Sequence, residues 1–211
     1  MTDNPTPSYP FEAAWSFAGR TKGWLEPDEA ELLYRLAGVV GNLGRVVELG
    51  SYCGRSSIML AAGLAATSRG SLVCVDTFGG SAEHQPGQKH FDPATLVDGL
   101  VNTYPAFVRN LDDAGLLDRV DVVRMRTLDA AARFSAPIGL LFVDAAHEYP
   151  AVCDDLQAWS PHVVAGGWIA LHDAGQWSGP TRAAADLLEA GFKRHAQAGT
   201  VLALRRQAGQ A

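Results

Sequence analysis

Short apolar runs rich in β-branched residues alternate along the chain with longer segments of helical periodicity. This pattern predicts strands over 45–49, 72–75, 120–124, 138–143 and 168–171, and a closing hairpin over 192–196 and 200–204. Helices are predicted from Pro27 onward and over 56–66, 94–114, 151–159 and 181–190. Strands that alternate with helices indicate an α/β fold whose mostly parallel, seven-stranded sheet carries helices on both faces. In such sheets ligands bind beyond the carboxyl ends of the strands.

The composition and net charge of the chain exclude several classes of protein. The chain has 211 residues, 47% of them hydrophobic, and a net charge of −6. We therefore expect one domain with a buried core, no nucleic-acid partner and no attraction to anionic membranes, since basic residues are not in excess. No apolar run approaches the ~20 residues that span a bilayer. The polar segment 1–10 is expected to be a mobile tail, and the three cysteines to be free thiols in a reducing cytoplasm.

A glycine-rich turn follows the first predicted strand. Its spacing, with Gly50 and Gly54 separated by three residues, does not match a P-loop, and Tyr52 stands where a dinucleotide-binding turn needs glycine. We expect the carboxylate of Glu48 to point into the crevice, where it would repel phosphates and attract a cation. S-adenosylmethionine (SAM), a nucleoside with a sulfonium and an ammonium group, fits this turn, with Asp76 accepting from its ribose hydroxyls. The alternative is a plain tight turn with a solvated glutamate.

A second polar cluster follows the fourth and fifth predicted strands. Asp144, His172 and Asp173 should meet at the sheet edge, where two carboxylates and an imidazole have the character of metal ligands. A divalent metal there would lower the pKa of a substrate hydroxyl, and His147 could act as the base that takes its proton. His172 favours Mn²⁺, Fe²⁺ or Zn²⁺ over Mg²⁺, unless it stays outside the ligand set. The alternative is that the acids cap helices and the histidines bind backbone groups.

Three segments, 46–61, 72–85 and 140–173, resemble class I SAM-dependent methyltransferases. The similarity is greatest to the small-molecule branch that includes macrolide-sugar O-methyltransferases and cephalosporin-pathway enzymes. It implies a Rossmann-like sheet of strand order 3-2-1-4-5-7-6 with the last strand antiparallel. It also implies that Glu48, Gly50, Ser51 and Gly54 hold the methionine portion of SAM, Asp76 the ribose, and the segment 126–128 the adenine. In catechol-type relatives the magnesium-binding positions fall on Asp144 and on 172–173, and a catalytic lysine falls on His147.

We therefore predict O-methylation of a hydroxyl on a small metabolite, with SAM as cofactor and metal assistance by Mg²⁺ or Mn²⁺. His147 and Asp144 are the predicted catalytic residues, and Asp144, His172 and Asp173 the predicted metal ligands. The residues expected to bind the cofactor are Glu48, Gly50, Ser51, Tyr52, Gly54, Asp76, Thr77, Arg126, Thr127 and Asp144.

Residues 1–40 are predicted to be an N-terminal tail and helical lid, and 41–211 the SAM-binding methyltransferase domain. The long loop 77–93 is expected to cover the cofactor, and Trp177 to face the substrate. We expect a cytoplasmic homodimer. The rival functions are a metal-dependent hydrolase or cyclase that uses SAM non-catalytically, a SAM-binding scaffold and an NAD dehydrogenase, the last disfavoured by Tyr52.

Overall fold

A computed structural model describes residues 9–40, 42–68 and 70–209. Most of the predicted tail, residues 1–8, lies outside the described residues. The strands are β1 (Arg45–Leu49), β2 (Leu72–Val75), β3 (Leu96–Val97), β4 (Leu100–Val101), β5 (Val120–Val123), β6 (Ile138–Val143), β7 (Val163–Leu171), β8 (Lys193–Ala198) and β9 (Val201–Arg205).

Seven of these strands form one sheet in the order β5-β2-β1-β6-β7-β9-β8. Neighbouring strands from β5 to β7 run parallel, whereas β9 runs antiparallel to both β7 and β8. Numbered within this sheet alone, the order is 3-2-1-4-5-7-6. The predicted α/β, Rossmann-like architecture with an antiparallel last strand is therefore confirmed.

Helices cover both faces of the sheet. They are α1 (Phe11–Ala18), α2 (Pro27–Val40), α3 (Arg55–Ala66), α4 (Tyr104–Asp113), α5 (Thr127–Ala131), α6 (Tyr149–Trp159) and α7 (Ser178–Glu189). Helices α1 to α4 pack on one face, against side chains such as Val46 and Phe142, and α5 to α7 pack on the other, against Val47 and Leu141. Alternate residues of a strand thus enter opposite cores. With 14 residues, the longest helix in the described ranges, α2, is too short to span a bilayer.

The N-terminal helices belong to the main core. Ala14 and Ala18 of α1 and Leu33 of α2 are fully buried in the same cluster as Ile58 of α3. The predicted boundary at residue 40 therefore separates no independent core. The connection between α1 and α2 is the part of this region that reaches the ligand cavity described below.

The helix predicted over 94–114 is wrong in its first half. The structure instead has the short hairpin of β3 and β4, and only α4 is helical. Asp98 and Gly99 connect the two strands with positive φ angles of 51° and 80°, as a tight hairpin turn requires. An Asp-Gly pair is a strong hairpin signal, which the apolar periodicity of the flanking residues concealed.

Candidate functional site

A cavity of about 580 Å³ opens at the carboxyl ends of β1, β2, β6 and β7. This is the volume and the place expected for a small-molecule site on an open α/β sheet. The predicted site residues that line it are Gly50, Ser51, Tyr52, Asp76, Thr77, Arg126, Thr127, Asp144, His147, His172 and Asp173. Two predicted residues, Glu48 and Gly54, do not line it.

The glycine turn is held by Asp76 at the end of β2. One carboxylate oxygen of Asp76 accepts hydrogen bonds from the backbone N–H groups of Ser51 and Tyr52, at 2.8 and 2.9 Å. Gly50 has φ +84°, and a Cβ built on it would lie 2.2 Å from the carbonyl oxygen of Asp144. Only glycine allows the turn to pass so close to the end of β6. The turn therefore brings the two predicted clusters into one cavity.

Glu48 does not point into that cavity, so this part of the prediction is wrong. Its side chain is fully buried, because Glu48 lies on the same face of β1 as Val46, beneath α3. The carboxylate accepts hydrogen bonds from the hydroxyls of Ser51 at 2.7 Å, Ser56 at 2.6 Å and Ser57, and from the thiol of Cys74 at 3.2 Å. Burial raises the pKa of Glu48, and these donors oppose the shift.

Gly54 ends the glycine turn, as predicted, but does not line the cavity. It precedes α3 as its N-cap residue, with φ +91°, and shapes the start of that helix. Cys74, like Cys53 and Cys153, is a free thiol, as predicted.

Other acidic side chains give the cavity its charge. The carboxylates that line it are Asp76, Glu83, Asp144, Asp154, Asp155 and Asp173, and the lysines and arginines are Lys22, Arg55, Lys89 and Arg126. Acids outnumber these bases, which favours a ligand that carries positive charge. The argument for a cationic nucleoside therefore holds without Glu48, because these other carboxylates supply the negative charge of the cavity.

His172 lies among three carboxylates, and its predicted role as a metal ligand stays a prediction. Its Nδ1 is 3.1 Å from Asp144 Oδ1 and 3.4 Å from Asp173 Oδ2, and its Nε2 is 3.6 Å from Glu29 Oε2. Burial lowers the pKa of His172, but Asp144, Asp173 and Glu29 together raise it to about 12. In this arrangement both ring nitrogens of His172 therefore face carboxylates.

The ligand set that the structure does offer is Asp144, His147 and Asp173. One side-chain atom from each lies within 4.8 Å of the others. His147 Nε2 lies 3.0 Å from Asp173 Oδ2 but is not aligned for a hydrogen bond, so it is a buried polar atom without a hydrogen-bond partner. Two carboxylates and one imidazole are a donor set that suits Mn²⁺, Fe²⁺ or Zn²⁺. These residues therefore fit a divalent metal, and the imidazole among them is that of His147.

Both ring nitrogens of His147 face carboxylates. Nδ1 lies 2.8 Å from Glu83 Oε1, and Trp177 stacks on the imidazole at a centroid distance of 4.6 Å. The carboxylate of Asp173, with contributions from Asp144 and Glu83, raises the pKa of His147 against the effect of burial. In this arrangement both ring nitrogens face carboxylates, so neither is open to a substrate hydroxyl, and the predicted role of His147 as a base stays a prediction.

Sequence reasoning missed two acidic residues at the site. Glu29 of α2 is buried and accepts hydrogen bonds from Thr200 N at 2.7 Å and Thr200 Oγ1 at 2.8 Å, besides facing His172. Glu83 lies in a single turn of 3₁₀ helix within the loop 77–93. Nothing in the pattern separates Glu29 from an ordinary acid in the first turn of a helix. Glu83 falls in the loop that was expected to cover the site.

Aromatic side chains gather at the mouth of the cavity. Trp24 from the α1–α2 connection lies 5.5 Å from Tyr52, 5.5 Å from His84 and 5.6 Å from His90, measured between ring centroids. Tyr52 and His84 stack at 5.4 Å. The N-terminal connection and the loop 77–93 thus meet over the glycine turn, in the positions that the sequence predicted for covering segments.

A family model described as a methyltransferase domain matches residues 47–174, which is more than half of the chain. The chain belongs to the methyltransferase-domain family. This match spans β1 to β7 and includes both polar clusters, and it confirms the recognition of a class I SAM-dependent methyltransferase.

Solved methyltransferases share the fold at low sequence identity. The O-methyltransferase NovP aligns with a TM-score of 0.70 and 18% identity over 96% of this chain and 91% of its own. TomG from Streptomyces achromogenes, solved in complex with SAM, gives 0.61 and 18% over 93% and 87%. An O-methyltransferase from Bacillus cereus, solved in complex with S-adenosylhomocysteine (SAH), gives 0.60 and 18% over 97% and 94%. At this identity the three structures show the common fold alone.

Within this methyltransferase the cavity has two chemically different ends. Asp76, Thr77, Arg126 and Thr127 lie after β2 and β5, and the cluster of Asp144, His147 and Asp173 lies after β6 and β7. The glycine turn lies between them. One continuous cavity therefore contains both polar clusters.

Proposed function

We propose that this methyltransferase transfers the methyl group of SAM to a hydroxyl oxygen of a small acceptor. A divalent cation held by Asp144, His147 and Asp173 would assist the reaction. The observation that carries the proposal is that these three residues share one cavity with the glycine turn. The acceptor oxygen would attack the methyl carbon in line with the bond to sulfur, which leaves as the thioether of SAH.

The donor end is proposed to hold SAM through polar contacts. Asp76 would accept from the ribose hydroxyls with the lone pairs that the turn does not use, and Thr77, Arg126 and Thr127 would surround the adenine side. Backbone and side-chain atoms of Gly50, Ser51 and Tyr52 would contact the methionine portion. The acidic lining supports this orientation, because it favours a ligand that carries a sulfonium and an ammonium group.

The acceptor end is proposed to hold and orient the hydroxyl. A bound divalent cation supplies Lewis-acid chemistry, which lowers the pKa of a hydroxyl near neutral pH. Asp144 and Asp173 fix the charge of this end, and Trp177 supplies a flat apolar wall beside His147. Holding the two reactants in a near-attack geometry can provide about 7–11 kcal/mol of the barrier lowering.

His147 as a general base is the alternative to His147 as a ligand. The two roles exclude each other at Nε2, since a nitrogen bound to a cation cannot take a proton. The orphaned Nε2 beside Asp173 supports the ligand role. Chelation separates the two mechanisms: loss of turnover in EDTA, restored by Mn²⁺, supports the cation, whereas full turnover in EDTA supports the base.

The experiment measures SAH formation from SAM with a panel of small hydroxylated acceptors. Asp144→Ala is expected to lower turnover by about 10³-fold, because the carboxylate serves the acceptor end, while SAH affinity measured by calorimetry stays within about three-fold. Turnover of an acceptor without SAH formation would favour a hydrolase or cyclase instead. Unchanged turnover in Asp144→Ala would remove the proposed role of this cluster. The homodimer and the cytoplasmic location stay predictions, which sedimentation and cell fractionation can test.

A further inference from the structure

The loop 77–93 is folded largely upon itself. The side-chain amide of Gln85 donates to the carbonyl oxygens of Gly79 at 3.0 Å, Gly80 at 3.3 Å and Ser81 at 3.2 Å. The tip of the loop is exposed to solvent. Local bonds of this kind give the segment its shape but do not fix its position over the cavity, so its position depends on a few contacts with the rest of the molecule.

Glu83 makes the polar contact from this loop to the ends of β6 and β7. Its Oε1 lies 2.8 Å from His147 Nδ1, and each of the two side chains is only 19% exposed. A carboxylate can only accept a hydrogen bond, so Nδ1 must be the donor. This places a hydrogen on Nδ1 and leaves Nε2 as the atom that faces Asp173 and is available to a cation.

The other contacts of His147 agree with that assignment. Nε2 is buried without a hydrogen-bond partner, 3.0 Å from Asp173 Oδ2, and Trp177 fixes the plane of the ring by stacking. Histidines that bind metals commonly donate their second N–H to a carboxylate, which sets the tautomer and strengthens the ligand. Glu83 is placed to do this from a loop that sequence reasoning assigned only a covering role.

We propose that Glu83 is a positioning residue that acts through His147. It holds Nδ1 so that Nε2 joins Asp144 and Asp173, and by the same bond it ties the loop 77–93 to the cation cluster. The inference rests on the proposed function for its cation, whereas the tether between loop and imidazole is a property of the protein alone.

Cation binding and docking of the loop 77–93 should therefore be coupled in both directions. If the docked loop strengthens cation binding, the cation must stabilise the docked loop by the same factor. Order in the loop and occupancy of the cluster can then be measured separately and compared.

The first test measures Mn²⁺ affinity from the paramagnetic resonance signal of free Mn²⁺. Glu83→Ala is expected to weaken binding by about 10- to 100-fold, the usual effect of removing a carboxylate behind a histidine ligand. Glu148→Ala is the matched control, because Glu148 is the neighbour of His147 but is exposed and makes no capping hydrogen bond. The control should keep the wild-type affinity, and both variants should keep their SAH affinity.

The second test uses Lys89, which is the one lysine or arginine of the loop 77–93 and is exposed. Trypsin cleavage after Lys89, followed by mass spectrometry in EDTA, reports how often the loop opens. Glu83→Ala and His147→Ala are each expected to speed cleavage about five-fold, as loss of one hydrogen bond implies. The double variant should be no faster than either single one, and Mn²⁺ should slow cleavage in the wild type only.

The outcomes separate the two hypotheses. A wild-type protein that binds no Mn²⁺ would refute the cation of the proposed function, and the cleavage rates in EDTA would still decide whether Glu83 tethers the loop. Cleavage rates that are unchanged in Glu83→Ala, or additive in the double variant, would overturn the inference. So would an unchanged Mn²⁺ affinity in Glu83→Ala when the wild type does bind the ion.

Discussion

Two carboxylates at neighbouring strand ends meet opposite environments. Glu48 lies within β1, fully buried, and its oxygens are occupied by three hydroxyls and a thiol. Asp144 lies one residue beyond β6, with a side chain 28% exposed toward the cavity and a histidine as its partner. Position at the carboxyl end of a strand does not by itself bring an acid to a ligand. What decides is the face on which the side chain leaves the strand and the donors that it meets there.

The comparison assigns the two acids different roles. The donors around Glu48 come from the glycine turn, from the first turn of α3 and from β2, so this carboxylate fastens those elements together. The acids around His172 come from α2 and from the ends of β6 and β7, and two of them, Asp144 and Asp173, line the cavity. The first cluster stabilises the turn, and the second can act on a ligand.

Gly50→Ala should have the largest effect of these substitutions, because the turn at Gly50 lies between the two clusters and supports both. A methyl group there would meet the Asp144 carbonyl oxygen at 2.2 Å and force a side chain into φ +84°. We expect a loss of unfolding free energy of about 4 kcal/mol, together with loss of SAH binding.

The control for that variant is Gly99→Ala. Gly99 has a similar φ of +80°, but nothing lies within 4 Å of a Cβ built on it. Its cost should be about 1–2 kcal/mol from backbone strain alone. Urea denaturation measures both variants, and equal losses would show that close contact with Asp144 is unimportant.

Glu48→Ala should show a large effect on stability and a small one on binding. Removing the carboxylate leaves buried hydroxyls of Ser51, Ser56 and Ser57 without their acceptor, at a cost of about 3 kcal/mol. SAH affinity, corrected for any unfolded protein, should change less than three-fold. Glu48→Gln, which keeps an acceptor, should cost about 1 kcal/mol. A tenfold weaker SAH affinity with intact stability would instead place Glu48 in contact with the cofactor.

Glu29→Gln tests how the stability contributed by the cluster around His172 depends on pH. Burial raises the pKa of Glu29, but His172 and the donors of Glu26 and Thr200 lower it from 4.5 to about 2. A carboxyl whose pKa is lower in the folded state contributes stability that is complete above pH 4.5 and is lost as the pH falls toward 2. In metal-free protein the substitution should therefore remove about 2 kcal/mol at pH 7 and flatten the acid side of the stability curve.

The control for Glu29→Gln is Glu31→Gln in the same helix. Glu31 pairs with Arg35 on the surface, where both side chains are well exposed. Its loss should cost less than about 0.5 kcal/mol. Denaturant melts between pH 3 and pH 7 measure both variants, and an equal response would show that the buried contact with His172 contributes little.

Much of the fold was predictable, because strands and helices that alternate along the chain differ in the spacing of their apolar residues. The strand ends, the glycine turn and Asp76 were found this way. The direction of Glu48 was not, because β1 is buried on both faces and its apolar residues give no contrast between inside and outside. That His147 groups with Asp144 and Asp173 depends on the positions of side chains on adjacent strands and a loop. Glu29 and Glu83 reach the site through tertiary contacts that no local pattern records.

The hydrogen bond from Thr200 to Glu29 joins residues 171 positions apart. Because Thr200 follows every element from α2 to β8 along the chain, a ribosome must make all of these elements before the contact can form. The pair Asp144 and His172 must wait for the same event to obtain its full set of neighbours. The polar cluster around His172 is therefore expected to be completed late in the assembly of the sheet, after β8 has been made.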